Sequence, residues 1–341
     1  MTERRLGIAE ALREAIAEEM RRDERVFCIG EDIGIPGGWG GAFTVTLGLE
    51  KEFPDRIVNT PISEAGLMGA ALGSALMGMR PIADVQYSDF LFCAMDQVGN
   101  QVAKMRYMSG GKVTTPMVMR APVGVTGRGA QHAQMMEPFF LPLPGIKLVA
   151  PATAYDAKGL LKAAVRDGNP VLMFEHKLLY GSKGPRTESG AIDASSMIPD
   201  EDYVVPIGKG IVRRQGTDIT IIATLLMMHR AVQAAALLSA RGISAEVIDP
   251  RSIVPFDWEL VKESVAKTGR VITVEESPRR GGLGAEIAAT LSEEMIDFLV
   301  APITRVAAPD TPAPFSPPME RYYVPDAARI VNAARRLMEI S

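Results

Sequence analysis

The 341-residue sequence contains only two cysteines and three histidines, and it has no long apolar run. Cys28 and Cys93 are far apart and match no paired metal or redox spacing, so the sequence predicts neither a disulfide framework nor a zinc site. No stretch is long and apolar enough to span a bilayer, and the acidic N-terminal segment resembles neither a signal peptide nor a transit peptide. These absences predict a cytoplasmic protein with no membrane partner.

Clustered positive charge is also missing. The chain has 37 basic against 41 acidic residues and a net charge of −4, without the Lys/Arg stripe that binds nucleic-acid phosphates. Nucleic acid is therefore excluded as an expected partner. The phosphate-binding signature GxxxxGK[ST] is absent, and GGLGAE does not match the dinucleotide fingerprint. The chain thus has no evident anchor of its own for a diphosphate.

What the sequence does contain is an alternation of strand-like and helix-like segments. Strand patterns such as VFCIG and PMVMR alternate with helix patterns such as SEAGLMGAALGSALMGM and LFCAMDQVGNQVAKMRYM. This alternation predicts right-handed crossovers and mostly parallel sheets covered on both faces. The length and the 47% hydrophobic content suffice for two cores. We expect an α/β fold of two three-layer domains, residues 1–180 and 204–341, joined by an aperiodic linker at 181–203.

The segment NTPISEAGLMGAALGSALMG places Glu64 in the first turn of a predicted helix. An acid there has two readings. In the first, Glu64 only complements the helix macrodipole. In the second, the small residues that follow leave room for a cofactor or another backbone, and desolvation raises the affinity of the carboxyl group for a proton. Such a group can exchange a proton with a heterocyclic nitrogen.

A second candidate is His132, in the loop APVGVTGRGAQHAQ after the predicted strand PMVMR. Of the three histidines, it alone lies in a glycine-rich loop at the carboxyl end of a strand, where α/β folds bind ligands. The alternative is a surface histidine without a role. His176 and His229 are interpreted as structural residues.

Four separated blocks occur in one order along nearly the whole chain: NTPISEAG, DVQYSDFLFCAMDQVGNQVAKMRYMSGG, GRGAQHAQ and the ending APDTPAPFS with YYVPD. Together they resemble the beta subunit of the thiamine-diphosphate-dependent first component of 2-oxo acid dehydrogenase complexes. The resemblance implies a transketolase-type pyrimidine-binding domain, then a transketolase-type C-terminal domain, in an α2β2 heterotetramer. In this family the alpha subunit supplies the magnesium and diphosphate motif, which accounts for its absence here.

The resemblance also implies roles for single residues. Glu64 matches the glutamate that hydrogen-bonds the pyrimidine ring nitrogen of thiamine diphosphate and so promotes removal of the thiazolium proton. Phe90 matches an aromatic residue that packs on the pyrimidine, and Ile62 and Gln86 match residues that line the same pocket. His132 matches the histidine thought to assist acyl transfer to lipoamide, as a general acid near neutral pH.

A third set of residues resembles a loop that binds a structural potassium ion in related subunits. The turn RDGNP within this set would also form without an ion. In family members, the second domain pairs subunits and docks the lipoylated acyltransferase core. The residues that match the potassium loop are Met117, Ala164, Asp167 and Asn169.

The expected reaction is decarboxylation of a 2-oxo acid, pyruvate first, or cleavage of acetoin, followed by acyl transfer to lipoamide. GWGGAF and EHKLLY resemble acetoin dehydrogenases more closely, whereas TPISE and the single histidine of GAQHAQ are shared with pyruvate enzymes. The lack of a second histidine-like position in this loop argues against a branched-chain substrate, which stays an alternative. Three rivals remain: a self-contained transketolase-like enzyme, a non-catalytic docking subunit, and a dinucleotide-binding oxidoreductase, whose fingerprint is missing.

Overall fold

The structure is a computed structural model that describes residues 4–181 and 192–340. Its strands are β1 (Arg5–Leu6), β2 (Val26–Gly30), β3 (Ile57–Asn59), β4 (Arg80–Asp84), β5 (Val118–Val123), β6 (Lys147–Val149), β7 (Val171–His176), β8 (Ser196–Met197), β9 (Ile211–Arg214), β10 (Ile219–Ala223), β11 (Ala245–Asp249), β12 (Ser252–Val254), β13 (Val271–Pro278) and β14 (Thr304–Ala308). Its α-helices are α1 (Ile8–Arg22), α2 (Leu49–Glu52), α3 (Glu64–Leu76), α4 (Met105–Met108), α5 (Glu137–Phe140), α6 (Ala154–Arg166), α7 (Leu225–Ser239), α8 (Trp258–Thr268), α9 (Leu283–Glu294), α10 (Pro317–Tyr323) and α11 (Ala327–Met338).

The chain forms two compact units. The first contains Met1–Val123 and Pro142–Ile207, and the second contains Gly124–Leu141 and Gly208–Ser341. The loop with His132 therefore belongs to the second unit, although its sequence neighbours on both sides belong to the first. The predicted linker falls partly on residues 182–191, which lie outside the described residues, and β8, within its remainder, belongs to the first unit.

In the first unit, six strands form a parallel sheet in the order β6, β7, β5, β4, β2, β3. Every residue of β5 and of β7 is buried, as expected for strands that helices cover on both faces. The apolar stripe of α1 faces this core, with Leu12 and Ile16 fully buried. A short antiparallel pair, β1 with β8, also belongs to this unit.

In the second unit, five strands lie in the order β14, β13, β10, β11, β9. All neighbours in this sheet are parallel except β9, which runs antiparallel to β11 at one edge. Helix α7 has a buried face rich in leucine, methionine and alanine, as an amphipathic helix on a sheet requires. The prediction of two α/β units with mostly parallel sheets is confirmed.

One helix prediction was wrong. The segment LFCAMDQVGNQVAKMRYM was expected to form one long helix, but it consists of three short ones: a 3-10 helix at Ser88–Ala94, a π-helix at Asp96–Val102 and the turn α4. Gly99 lies inside the π-helical turn, where its low helix propensity weakens a continuous α-helix. Departures from α-geometry of this kind are frequent at functional sites.

Candidate functional site

The residues predicted to hold the cofactor ring follow strands that end at one edge of the first unit's sheet. Strands β4, β2 and β3 are neighbours and parallel, so their carboxyl ends lie together. Ile62 and Glu64 follow β3, and Glu64 is the first residue of α3. Gln86 follows β4, and Phe90 lies in the 3-10 helix after it. The structure thus brings these four residues to one sheet edge.

Glu31, which the sequence did not predict as a site residue, connects the members of this group. It directly follows β2 and is only 6% exposed. The side-chain nitrogen Nε2 of Gln86 donates a hydrogen bond of 2.5 Å to its backbone oxygen. Burial, and secondly the charge of Glu64, raises the pKa of Glu31, while a hydrogen bond from the Ser63 backbone N–H lowers it. An acid immediately after a buried strand was the only signal in the sequence.

The Glu31 carboxyl group also has spare hydrogen-bonding capacity. Its Oε1 atom is buried and accepts no hydrogen bond from any part of the chain that the structure describes. Buried polar atoms without a partner are rare and call for an explanation, such as a bound polar group. This orphaned oxygen beside Glu64 fits a site that receives a polar heterocycle.

The surface around Glu64 is exposed on one side of α3. Glu64 is partly exposed, and Ile62 exposes 82% of its surface. The inner face of α3 is buried through Leu67 and Met68, but glycines and alanines line the outer face. A Cβ atom added to Gly73 would meet no described atom within 4 Å. The expected room for another backbone is therefore present, and it faces away from the core of this unit.

An aromatic series leads from Phe90 toward the core. The Phe90 and Tyr87 rings meet edge to face at 5.7 Å, and Tyr87 meets Phe43 in the same way at 5.9 Å. Phe43 stacks on Tyr180 with ring centroids 4.7 Å apart. The ammonium group of Lys177 lies 5.0 Å from the Tyr87 ring centroid. These contacts fix the ring expected to pack on the cofactor.

A buried ion network supports this series from below. Arg120 on β5 is 1% exposed, and its Nε and Nη2 atoms donate to the carboxylate of Glu175 at 2.8 and 2.6 Å. Its Nη1 atom donates to Asp84, and the Tyr180 hydroxyl donates to Glu175 at 2.6 Å. Burial raises the pKa of Asp84, and the charge of Arg120 opposes that shift. One guanidinium thus compensates two carboxyl groups in the core.

His132 lies in the second unit, in the loop that follows β5. It is partly buried, and its backbone N–H donates to the oxygen of Gly129 at 3.2 Å. The next residue, Ala133, packs with Val125 and Tyr323 in a buried cluster of that unit. The loop is therefore an ordered element rather than a surface excursion, and it presents His132 next to a buried support.

The same loop ends at a deeply buried acid, Glu137, the first residue of α5. It is 2% exposed, and burial, with the charges of Glu275 and Glu276 as a smaller cause, raises its pKa to about 8. Its Oε2 atom has no hydrogen-bond partner among the described residues. Glu137 is accordingly protonated at neutral pH in the folded chain.

This protonation predicts a pH-dependent stability. The unfolded carboxyl ionises near 4.5 and the folded one near 8, so stability is lost as pH rises between these values. At pH 7 the raised pKa of Glu137 lowers the free energy of unfolding by roughly 3 kcal/mol. Glu137→Gln should therefore be more stable than the wild type at pH 7 and equally stable at pH 4. Thermal midpoints from pH 4 to 8 check this, and parallel curves for the two proteins would contradict it.

Three residues of the predicted potassium loop meet in one turn, and the fourth lies beside it. The Asp167 carboxylate accepts hydrogen bonds from the backbone N–H and side-chain Nδ2 of Asn169, at 2.8 and 2.9 Å. Its backbone N–H donates to the oxygen of Ala164. An all-oxygen donor set suits a hard cation. Arg80 donates to the Asp167 backbone oxygen, and Lys147 pairs with its carboxylate, so protein cations already contact part of this set. Met117 accepts from the Val171 N–H on the next strand.

Two family models together match most of the chain. Residues 5–183 match the pyrimidine-binding domain of transketolase, and residues 208–330 match its C-terminal domain. A split-gene transketolase, whose structure is described as an inactive beta4 tetramer, superposes with a TM-score of 0.78 at 27% identity, covering 98% of this chain and 99% of that one. The predicted two-domain transketolase architecture is confirmed.

Curated relatives are similar over their full length. The beta subunit of acetoin:2,6-dichlorophenolindophenol oxidoreductase from Cupriavidus necator is 44% identical, with 98% of each chain covered. The 2-oxoisovalerate dehydrogenase beta subunit of Bacillus subtilis is 45% identical, covering 98% of this chain and 99% of the relative. The chain belongs to the beta subunits of the 2-oxo acid and acetoin dehydrogenases. The beta subunit of the pyruvate dehydrogenase E1 component from B. subtilis is 41% identical with the same coverage.

Membership in this family fixes the class of activity. These beta subunits belong to oxidoreductases of a thiamine-diphosphate-dependent family, so the predicted enzyme class and cofactor family are confirmed. Among residues 4–181 and 192–340, no helix is long and apolar enough to cross a membrane.

Proposed function

We propose that this beta subunit works with an alpha subunit in an α2β2 heterotetramer that decarboxylates a 2-oxo acid, pyruvate first, or cleaves acetoin. The acyl group then passes to the lipoyl group of an acyltransferase core. The observation that carries the proposal is the sheet edge where Glu64 and Gln86 both adjoin the buried Glu31. The alpha subunit covers the exposed outer face of α3 and supplies the diphosphate and magnesium site that this sequence lacks.

The residues of this chain would hold the aminopyrimidine ring of the cofactor. Thiamine diphosphate, when bound, supplies the carbon nucleophile and electron sink that cleave the bond beside a carbonyl group. Glu64 hydrogen-bonds a ring nitrogen and stabilises the proton there, which activates the cofactor. Phe90 packs on the ring, and Ile62 and Gln86 line the pocket. Covering this pocket by the alpha subunit removes water and strengthens the Glu64 hydrogen bond.

His132 acts in the second half-reaction. When the lipoyl disulfide is cleaved, one sulfur takes the acyl group and the other takes a proton. An imidazole can act as a general acid and is suited to deliver that proton. The loop that carries His132 is fixed on the second unit, so the proton donor is held in place before the acceptor arrives.

We also propose a potassium site and a cytoplasmic location. The turn formed by Ala164, Asp167 and Asn169 is proposed to bind potassium, with Met117 as a fourth ligand. A cytoplasmic location agrees with the unpaired cysteines: Cys28 is buried, which raises the pKa of its thiol to about 12, and Cys93 is exposed.

Purification of the chain with and without its alpha subunit tests the proposal. Identities to relatives named for pyruvate, acetoin and 2-oxoisovalerate are too similar to rank these substrates. We expect no turnover by the chain alone, and turnover of pyruvate or acetoin by the complex with 2,6-dichlorophenolindophenol as acceptor. Preference for 2-oxoisovalerate would assign the branched-chain alternative. Turnover by the chain alone would establish a self-contained enzyme, and an inactive complex would establish a docking subunit.

A further inference from the structure

The loop that carries His132 is held at two points by acidic side chains of the second unit. The Val125 N–H donates to Oε1 of Glu276 at 2.7 Å, and the Gly127 N–H donates to Oε1 of Glu320 at 2.6 Å. Glu320 lies in α10, so this hydrogen bond joins two residues that are 193 positions apart in the sequence. Hydrogen bonds from a backbone N–H to a carboxylate are short and strong compared with neutral ones.

The Phe315 ring lies beside the loop between these bonds and the histidine. Gly129 has a φ of +77°, and a Cβ added there would come within 3.4 Å of the Phe315 ring. Phe315 is 70% exposed, although its ring lies beside Gly129. Gly127 has a φ of +70° and is exposed, and without the Glu320 bond its flexible backbone would sample other conformations.

We propose that Glu320, assisted by Phe315, is a positioning residue that fixes the His132 loop for acyl transfer. The inference rests on the proposed role of His132. Glu320 fixes Gly127, the Phe315 ring lies beside Gly129, and Gly129 accepts from the His132 backbone N–H. These neighbours lead in sequence to the backbone that carries the imidazole. A proton donor displaced by about 1 Å loses much of its effect, whereas cofactor activation at Glu64 does not depend on this loop.

The test separates the two half-reactions in the reconstituted complex. When 2,6-dichlorophenolindophenol is the acceptor, the dye takes the electrons and no acyl transfer to a lipoyl group is needed. With an isolated lipoyl domain, acyl transfer is required. We expect Glu320→Ala to lower kcat/KM for the lipoyl domain roughly tenfold, the loss of one charge-assisted hydrogen bond, and to leave dye reduction unchanged. Glu320→Gln keeps an amide oxygen that can accept and should recover part of the rate. Glu263→Gln, an exposed acid of α8, is the matched control.

Three outcomes overturn the proposal, and they are distinguishable. If His132→Asn slows acyl transfer but Glu320→Ala and Phe315→Ala do not, the positioning role fails while the function of His132 stands. If His132→Asn leaves acyl transfer intact, the proposed function of His132 fails. A parallel fall in both assays for the Glu320 and Phe315 variants would indicate general destabilisation and would also overturn the positioning role.

Discussion

Replacing Glu64 with glutamine should lower turnover of the reconstituted enzyme by roughly 10²- to 10⁴-fold, the usual contribution of a positioned general acid or base. Glutamine has nearly the same shape but cannot carry the proton that activates the cofactor ring. Because activation precedes both half-reactions, dye reduction and acyl transfer should fall together. This parallel loss distinguishes Glu64 from His132 and Glu320, whose variants are expected to affect acyl transfer alone.

The control for this experiment is Glu24→Gln, which changes an exposed acid of the same unit and should leave both rates unchanged. Assembly with the alpha subunit is checked by size-exclusion chromatography, so that a folding defect is not mistaken for a chemical one. Normal turnover by an assembled Glu64→Gln enzyme would contradict the proposed role of Glu64 in cofactor activation. Glu64 would then serve only to complement the helix dipole.

The largest effect on stability is expected from Arg120→Met. The substitution leaves the carboxyl groups of Asp84 and Glu175 in the core without their shared cation. Removing one partner from a buried ion network costs about 3–5 kcal/mol, because an uncompensated charge remains. The urea midpoint of unfolding should therefore fall clearly. Adding Glu175→Gln to the same chain removes one of the orphaned charges and should recover part of the loss.

A surface ion pair provides the comparison. Arg25 pairs with Asp23 in an exposed turn, and pairs of this kind contribute little. Arg25→Gln should leave the urea midpoint close to that of the wild type. If Arg120→Met shifted the midpoint no further than Arg25→Gln, the network would not be a stability determinant, and the support for the aromatic series below Phe90 would need another source.

Local sequence patterns predicted the fold, and they singled out Glu64 and His132 as candidate site residues. The alternation of strands and helices determined both sheets, and the small residues after Glu64 placed α3 with this acid in its first turn. The prediction of one helix at Leu91–Met108 was wrong. The apolar pattern of this segment indicates a helix but carries no information about how Gly99 weakens a continuous one. Propensity summed over a window cannot detect such a local break.

Contacts between distant parts of the sequence explain what was missed. Glu31 meets the backbone of Ser63 and the amide of Gln86, and neither partner is near it in sequence. Arg120 and Glu175 are 55 residues apart, and nothing in either local segment predicts their pairing. Gly124–Leu141, which belongs to the second unit, likewise has hydrogen-bond partners far along the chain, at Glu276 and Glu320. Pairings of this kind become visible only in three dimensions.

The bond between Gly127 and Glu320 also has a consequence during synthesis. A ribosome adds about 5–20 residues per second, so the 193 residues between these partners take roughly 10–40 s to be made. The strands of the first sheet can pair during that interval, whereas the histidine loop must wait for α10 to emerge. Nascent chains would therefore form the sheet edge proposed to bind the cofactor before they form the loop proposed to assist acyl transfer.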